Sequence, residues 1–407
     1  MKFTKLTING WKQFFDIDID FHDKLTILTG ANGSGKTTLL NLLAKHFGWS
    51  FSELSTPVKD ISSGEIKWLN KIIDRETENT SNKIGEIQYD NETKAQLMLS
   101  NVNNSHQYTI EIKPKNNVNG LNIVSHRDTF RYKQISQIPT KSRTRIEAFS
   151  IVHNYNKKYY TEDSPFRKNI NYSIKETLLS WAVSSIDNEF FVADQEAKKN
   201  FEKFQNILSI LLPQSLGFDK ITIRNYEIVF VTTSGEFMID AVSGGIASII
   251  DLAWQIYNYS DKNEPFIVLI DEIESHLHPT MQRNILPNLL QAFPYVQFIV
   301  STHSPLVVGS VKHSNVYAFR YNDQNRVFSQ PLDLINKAKT ATEILNEVLG
   351  IPFTMPIWTE KILEELVRKY RSMELTEENM NRMREEFILE GLESLMPIAI
   401  NGILKND

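Results

Sequence analysis

Apolar positions change period several times along the chain. Ile17, Ile19 and Phe21 alternate with Asp16, Asp18 and Asp20, the period of two that gives a strand one dry and one wet face. A near-continuous apolar run, Leu25 to Thr29, follows, then a glycine-rich turn and the stretch TTLLNLLAKHF, whose leucines recur at helical spacing. A buried strand, a tight loop and a helix are predicted there. Between residues 80 and 125, short runs (EIQYD, AQLMLS, QYTIEI, LNIVS) are separated by Asn, Lys and Gly and predict an antiparallel β lobe. Residues 145–215 are mostly helix-like. Ile246, Ile249, Ile250, Ala253, Trp254 and Tyr257 mark a further helix face, while Ile267 to Ile270 and VQFIV (Val296 to Val300) read as buried parallel strands. Near the C-terminus, Ile362, Leu363, Leu366, Val367 and Tyr370 form one helical stripe and Met380, Met383, Phe387 and Ile388 another. Such stripes pack on their own domain or dock a partner subunit. The whole pattern predicts an α/β fold with a mixed sheet.

The turn after the first buried strand reads GANGSGKT, Gly30 to Thr37, with the spacing G-x-x-x-x-G-K-T. Chance produces such a match in about one or two chains of this length per hundred. A triphosphate is highly anionic, so a loop that wraps it must turn backbone N–H groups inward, which glycines at Gly30, Gly33 and Gly35 allow. The helix behind adds the positive end of its dipole. Gly30, Asn32, Gly33, Ser34, Gly35, Lys36, Thr37 and Thr38 are the expected nucleotide cradle, with Lys36 on the β- and γ-phosphates and the Thr37 hydroxyl on Mg²⁺. The Ile267 to Ile270 strand ends in Asp271 and Glu272. Asp271 is expected to hold Mg²⁺ through water, and Glu272 to be the general base that orients the attacking water. His303 follows the VQFIV strand in Ser301-Thr302-His303-Ser304-Pro305 and reads as a sensor of the γ-phosphate. His276 and His278 lack a third ligand nearby in sequence, so a separate metal site is not expected.

In this order the motifs resemble the ABC-type P-loop ATPases of the SMC and RecF kind, over roughly residues 1–60 and 215–350. Gly30 to Thr37 is similar to their Walker A, Ser243-Gly244-Gly245 to the signature, Asp271-Glu272 to Walker B and His303 to the switch histidine. The resemblance implies that Ser243, Gly244 and Gly245 of one subunit close over the γ-phosphate bound by another, so hydrolysis of ATP needs an ATP-dependent head-to-tail pair. A serine N-cap ahead of the Ile246 to Tyr257 face agrees, because a helix N-terminus can bind phosphate. The chain departs from the family at Val242 and Ile246, where the signature usually has leucine and glutamine. It also departs at Glu274-Ser275-His276-Leu277-His278-Pro279, which lacks the usual aspartate of the dimer-contacting loop. The family further implies that Trp11 or Lys12 approaches the nucleotide. The junction beginning Ser125-His126-Arg127-Asp128 is its coupling loop, with Gln134 or Gln137 as the Mg²⁺-sensing glutamine.

Composition narrows the reading. At 407 residues and 41% hydrophobic, the chain can bury one large core plus an attached lobe. It has no cysteine, which excludes disulfides, a zinc hook and thiol chemistry. MKFTKLTING contains no apolar signal region, and no run nears the roughly 18 apolar residues that span a membrane; a soluble, cytoplasmic protein with no membrane contact is expected. A formal charge of −5 argues against a DNA-coating surface. Arg127, Arg131, Lys133, Lys141, Arg143 and Arg145, interleaved with Phe130 and Tyr132, still offer a local stretch for nucleic-acid phosphates. The 207 positions from Lys36 to Ser243 are too few for SMC coiled-coil arms. The expected organisation is an N-terminal half of the ATPase domain (1–75), the antiparallel β lobe (76–125), the junction and inserted helical lobe (126–215), the C-terminal half of the ATPase domain (216–335) and a C-terminal helical region (336–407).

Beyond His303 there is no Asp-x-Asp pattern and no nuclease-like histidine cluster. Compact size, a short insertion, the Ser125-His126-Arg127 junction and a helical tail together resemble the stand-alone ATPase subunits of two-gene bacterial anti-phage systems, of the PtuA (Septu) and AriA (PARIS) types. That resemblance implies an ATP-gated sensor and scaffold. As a homo-oligomer it would hold an effector, a nuclease or toxin supplied in trans, until a phage-encoded trigger arrives. The alternative is a RecF-like repair ATPase that binds DNA through Arg127 to Arg145.

Overall fold

The alternation of Asp and Ile at residues 16–20 is expressed as a hairpin. β1 (Phe3–Trp11) and β2 (Phe14–Asp20) pair antiparallel, with Ile17 and Ile19 fully buried and Asp16, Asp18 and Asp20 exposed. The structure, a computed structural model, describes all residues except 60–63, 70–81, 101–104, 128, 162–169, 191, 260–263, 334, 336–338, 346–355, 372, 374–375 and 405–407. Asp128, part of the predicted junction, lies outside the described residues. The chain divides into two units, Met1–Ile344 and Leu345–Asp407.

In the first unit, β3 (Leu25–Gly30) leads through the glycine turn into α1 (Lys36–Ala44). The short strands β4 (Glu53–Leu54), β5 (Thr56–Lys59) and β6 (Ile66–Leu69) follow, then β7 (Lys83–Tyr89), β8 (Lys94–Leu99), β9 (Gln107–Tyr108), β10 (Ile110–Lys113) and β11 (Gly120–Ile123). The insertion supplies α2 (Arg145–Thr161), α3 (Ile170–Ser184) and α4 (Gln195–Leu211). A meander of β12 (Phe218–Arg224), β13 (Glu227–Thr232) and β14 (Gly235–Met238) returns the chain to α5 (Gly244–Tyr259). β15 (Phe266–Ile270), α6 (Pro279–Ala292), β16 (Val296–Thr302), α7 (Pro305–Val308), β17 (Asn315–Tyr321) and β18 (Val327–Pro331) complete it.

Eleven strands form one mixed sheet in the order β10-β8-β7-β1-β2-β18-β17-β3-β16-β15-β11. β17, β3, β16, β15 and β11 are mutually parallel, and β3, β15, β16 and β11 are buried at every position, as a parallel sheet covered on both faces requires. Two sequence expectations shift here. The antiparallel strands β7, β8 and β10 are a wing of this same sheet, joined to it through β1, not a separate lobe. LNIVS contributes β11, which leaves that wing and runs parallel to β15, with Asn122 opposite Leu269. A strand this short, with Asn122 between Leu121 and Ile123, has the same pattern in either setting, so only its tertiary neighbour decides.

The inserted helices are built onto α5. Asp194 caps α4 by accepting the N–H groups of Glu196 and Ala197, which anchors its amphipathic register. Trp254 of α5 then packs against Trp181 of α3 at a tilt and edge-to-face against Phe204 of α4, with ring centroids 5.4 and 5.0 Å apart. Such aromatic pairs add about 0.5–1.5 kcal/mol each beyond area burial. The helix that follows the Ser243 motif is therefore the shared core element of the insertion.

The second unit contains α8 (Ile357–Arg371), α9 (Glu377–Leu389) and α10 (Met396–Leu404). Leu363, Leu366 and Tyr370 from one predicted stripe and Met383 and Phe387 from the other form a common cluster with Leu392, Ala399 and Ile403. Ile388 stays half exposed. The stripes thus largely cover each other.

Candidate functional site

Because β3, β16 and β15 are adjacent and parallel, their C-terminal ends open on one sheet edge, where α/β folds place ligands. That edge collects the glycine loop after β3, Asp271 and Glu272 after β15, and His303 after β16. The loop is packed from behind. At Gly35 the backbone is left-handed, with φ 94°, and a Cβ would lie 2.4 Å from the Phe14 ring, so only glycine fits. The Ser34 hydroxyl is fully buried without a hydrogen-bond partner. Asn32 and Thr37 are exposed and Thr38 is half-buried.

Lys36 Nζ donates to the carbonyl oxygens of Gly30 and Ala31, at 2.9 and 3.0 Å. Burial lowers its ammonium from the usual range to about 8, against the opposing pull of Asp271, Glu274 and Glu272. It therefore remains largely charged at neutral pH. Thr37 Oγ1 donates to Asp271, 2.9 Å from Oδ2. A hydroxyl beside a buried carboxylate is a hard-oxygen donor pair, the kind Mg²⁺ selects.

A buried serine organises the two acids. Ser301 Oγ donates to Asp271 Oδ1 and accepts the Glu272 N–H at 2.8 Å. Glu272 has φ 46°, uncommon for a residue with a side chain, and this bond holds its peptide in place. Ser275 Oγ donates to Glu272 Oε2 at 3.3 Å. Glu274, two residues beyond Glu272, accepts from Thr302 Oγ1 at 2.7 Å and from the His303 N–H. It thereby fixes the backbone that presents His303. The half-buried His303 imidazole is held below its ordinary pKa, first by desolvation and then by the Lys36 ammonium. His303 is thus neutral at pH 7, able to donate or accept a hydrogen bond.

Sequence reading missed the parts that depend on tertiary contact. Arg127 is buried, and its guanidinium donates to Ser248 Oγ (3.2 Å), the Asp271 carbonyl (3.1 Å) and the Glu272 carbonyl (3.3 Å). Trp11 is a core residue whose indole N–H donates to the Tyr108 hydroxyl, and Lys12 pairs with Glu53. From this hairpin the loop is met by the Phe14 ring and by Gln13, whose Nε2 donates to the Gly33 carbonyl at 3.4 Å. His278 is spent as the cap of α6, with Nδ1 against Thr280.

The basic stretch from Arg127 to Arg145 does not form one surface for nucleic-acid phosphates. Arg127 is internal, Arg143 pairs with Glu176 and Thr177, and Arg145 donates to the Tyr257 carbonyl and lies over its ring. Buried or half-buried guanidinium groups need internal partners, and these have them. Arg131, Lys133, Lys141, Gln134 and Gln137 remain exposed.

Ser243 is exposed at the start of α5, and its Oγ lies 3.5 Å from the Ile246 N–H, a loose cap. Gly244 is half-buried and Gly245 buried. Among the described residues no hydrogen bond joins Ser243, Gly244 or Gly245 to the glycine loop of the same chain.

A family model described as AAA_21, "AAA domain, putative AbiEii toxin, Type IV TA system", matches residues 25–309. The chain is similar to the Septu protein PtuA of Bacillus thuringiensis, 24% identical over 381 residues that cover 88% of this chain and 87% of that protein. It is also similar to the Retron Vc95 probable ATPase of Vibrio cholerae serotype O1 biovar El Tor, 24% identical over 437 residues, 92% of this chain and 83% of that one. Among solved structures, the SMC head domain from Thermotoga maritima is similar over 82% of this chain and 100% of its own, at 16% identity and a TM-score of 0.42. Among the described residues no helix is long and apolar enough to cross a membrane. The family match encloses the loop, Asp271, Glu272 and His303 together, and with most of the sequence inside it this chain belongs to the AAA_21 family and is an ATPase.

Proposed function

We propose that this ATPase is the sensor and scaffold subunit of a bacterial anti-phage defence system, in which ATP joins two copies head to tail and the assembly controls an effector nuclease or toxin supplied in trans. The carrying observation is an incomplete site. Lys36, Thr37, Asp271, Glu272 and His303 share one edge, while the phosphate-binding candidate Ser243 is exposed and, among the described residues, makes no hydrogen bond to that edge. A second copy supplies what one chain lacks. The relatives PtuA and the retron ATPase, similar across most of both chains, support the defence setting. A phage-encoded component is the expected trigger. The internal partners of Arg127, Arg143 and Arg145 favour this reading over a RecF-like one that grips DNA through that stretch.

The residues fit Mg²⁺ and ATP. The unpartnered Ser34 hydroxyl, the left-handed glycine backbone and the Thr37–Asp271 oxygen pair form a cradle with donors for phosphate and hard oxygens for a divalent cation. When bound, Mg²⁺ neutralises phosphate charge. Lys36 exchanges its loop carbonyls for phosphate oxygens, Glu272 takes the proton of the attacking water, and neutral His303 bonds the γ-phosphate side. Ser301 holds Asp271 and Glu272 in register.

Glu272→Gln tests both halves. Loss of a general base costs about 10²–10⁴ in rate, so hydrolysis should fall at least a hundredfold while ATP drives the variant from monomer to a stable dimer in light scattering. Affinity purification from cells should then recover one stoichiometric protein partner. Wild-type hydrolysis would refute the base assignment; absence of an ATP-dependent dimer would refute the head-to-tail site; bound DNA with no protein partner would favour the repair reading.

A further inference from the structure

Three contacts lock the start of α5 to the segment that carries the two acids. Gly245 packs so closely that a Cβ would lie 2.8 Å from the His276 carbonyl oxygen. Ser248, two turns into the helix at most, donates to the Ser275 carbonyl at 3.4 Å. Arg127 closes the set: one guanidinium nitrogen holds Ser248 Oγ and another holds both the Asp271 and Glu272 carbonyls. It is buried, and it follows β11, whose Ile123 carbonyl accepts the Asp271 N–H at 3.0 Å. Its position is thus set by the same strand pair that sets Asp271.

These contacts have a direction. Glu272 keeps a left-handed backbone whose N–H is fixed by Ser301 and whose carbonyl is fixed by Arg127. The Arg127 backbone stays with the sheet, but its guanidinium is shared between Ser248 of α5 and the two carbonyls, so a displacement of α5 reaches the Glu272 carbonyl through that side chain while the Glu272 N–H stays with Ser301. Packed elements of this kind shift between discrete arrangements rather than deform gradually.

We infer that Arg127 is a positioning residue that couples the two ATP sites of a pair: when Ser243 at the head of α5 engages the γ-phosphate on the partner, Arg127 transmits that engagement to the Glu272 of its own chain. This rests on the head-to-tail reading above. Each chain then reports the loading of its partner's site to its own catalytic acid. Binding at one site sets turnover at the other, and the ATP dependence of hydrolysis is cooperative. Filling one of two coupled sites typically changes affinity at the other by roughly 5–150-fold, and two sites limit the Hill coefficient to about 2.

The experiment is ATP-dependent hydrolysis by the full chain, as wild type, Ser248→Ala, Arg127→Lys and Arg127→Gln, with dimer formation of each Glu272→Gln double variant followed by light scattering. Wild type should give a Hill coefficient well above 1. Ser248→Ala removes the Arg127 bond to α5 along with the Ser275 bond, keeps the Gly245–His276 packing and leaves both carbonyls held by Arg127, so it should still fold and still dimerise on ATP, yet its Hill coefficient should fall toward 1 and its kcat at saturating ATP should drop with little change in half-saturating concentration. Arg127→Gln should do the same more strongly, with partial recovery in Arg127→Lys. If Arg127→Gln fails to fold, Ser248→Ala decides alone. Dimers that form normally with an unchanged Hill coefficient in Ser248→Ala, or a wild-type dimer that hydrolyses without cooperativity, would overturn the coupling role. Failure of the Glu272→Gln parent to dimerise overturns the head-to-tail reading instead.

Discussion

Ser301→Ala is the most direct probe of the acid pair. The substitution removes one hydroxyl at a position with no solvent exposure and leaves two vacancies: the Glu272 N–H loses its acceptor and Asp271 Oδ1 loses a donor. An orphaned buried donor costs about 1–3 kcal/mol, and a bond to a charged acceptor contributes about 1.5–3 kcal/mol. Thr37 still donates to Asp271 at 2.9 Å, which offsets part of the second term. A net loss of about 3 kcal/mol is expected, and at about 1.4 kcal/mol per decade of rate, full expression in the reactive arrangement lowers kcat about a hundredfold. Expression partly in stability instead divides the loss between kcat and Tm. Phosphate release at saturating Mg²⁺-ATP gives kcat, a fluorescence-polarisation titration gives affinity, and a thermal melt gives Tm. The expected outcome is a kcat reduced roughly 10- to 100-fold with affinity changed by less than about threefold. A variant with wild-type kcat and wild-type Tm would show that Ser301 does not organise Asp271 and Glu272.

Further outcomes follow from other contacts. Gly35→Ala places a Cβ 2.4 Å from Phe14 on a left-handed backbone; ATP binding by isothermal titration should be lost while the far-ultraviolet dichroism of the fold is retained, and normal binding would contradict the steric account. Lys175, 1% exposed, is held by Asp240, by Glu227 at 3.3 Å and by the Lys133 carbonyl at 3.0 Å. Lys175→Ala leaves two acids uncompensated and should cost about 3–5 kcal/mol in urea denaturation; a loss under about 1 kcal/mol would mean the acids reach water. His46 is kept neutral by burial, its pKa lowered to about 4, with one ring nitrogen 3.0 Å from the Leu43 carbonyl and the other 2.8 Å from the Tyr89 hydroxyl. Between pH 6.5 and 4 the unfolded chain binds a proton there that the folded chain excludes, so stability falls as pH drops through that window, by up to about 3 kcal/mol. His46→Phe should flatten the acid limb of a stability-versus-pH curve by that amount, with His153, also lowered to about 4, keeping its own share; an identical slope would refute it.

What was legible in the sequence is what local pattern controls. β3, α1, β15 and β16 announce themselves because a continuous apolar run ending in glycines or acids has few other uses, and their parallel pairing then brings the motif ends to one edge without further information. Arg127 was not legible. A charged residue between short polar loops reads as solvated, and only the Asp271 and Glu272 carbonyls, distant in sequence by about 145 positions, make its burial favourable. Ser301 was visible as a strand-end serine but not as the pivot of the acid pair, because that role requires β15 and β16 to be neighbours. Gln13 and Trp11 exchange places for a related reason: the Tyr108 hydroxyl, supplied by another strand, draws the indole into the core.

The strand order also sets a timetable for synthesis. Both neighbours of β3, namely β16 and β17, come from residues 296–321, so the strand that carries the glycine loop has no sheet to join until most of the chain has left the ribosome. At about 5–20 residues per second that interval is roughly 15–60 s. A chain cut short by interrupted translation anywhere before β16 therefore carries Lys36 and Thr37 without the two strands that flank β3.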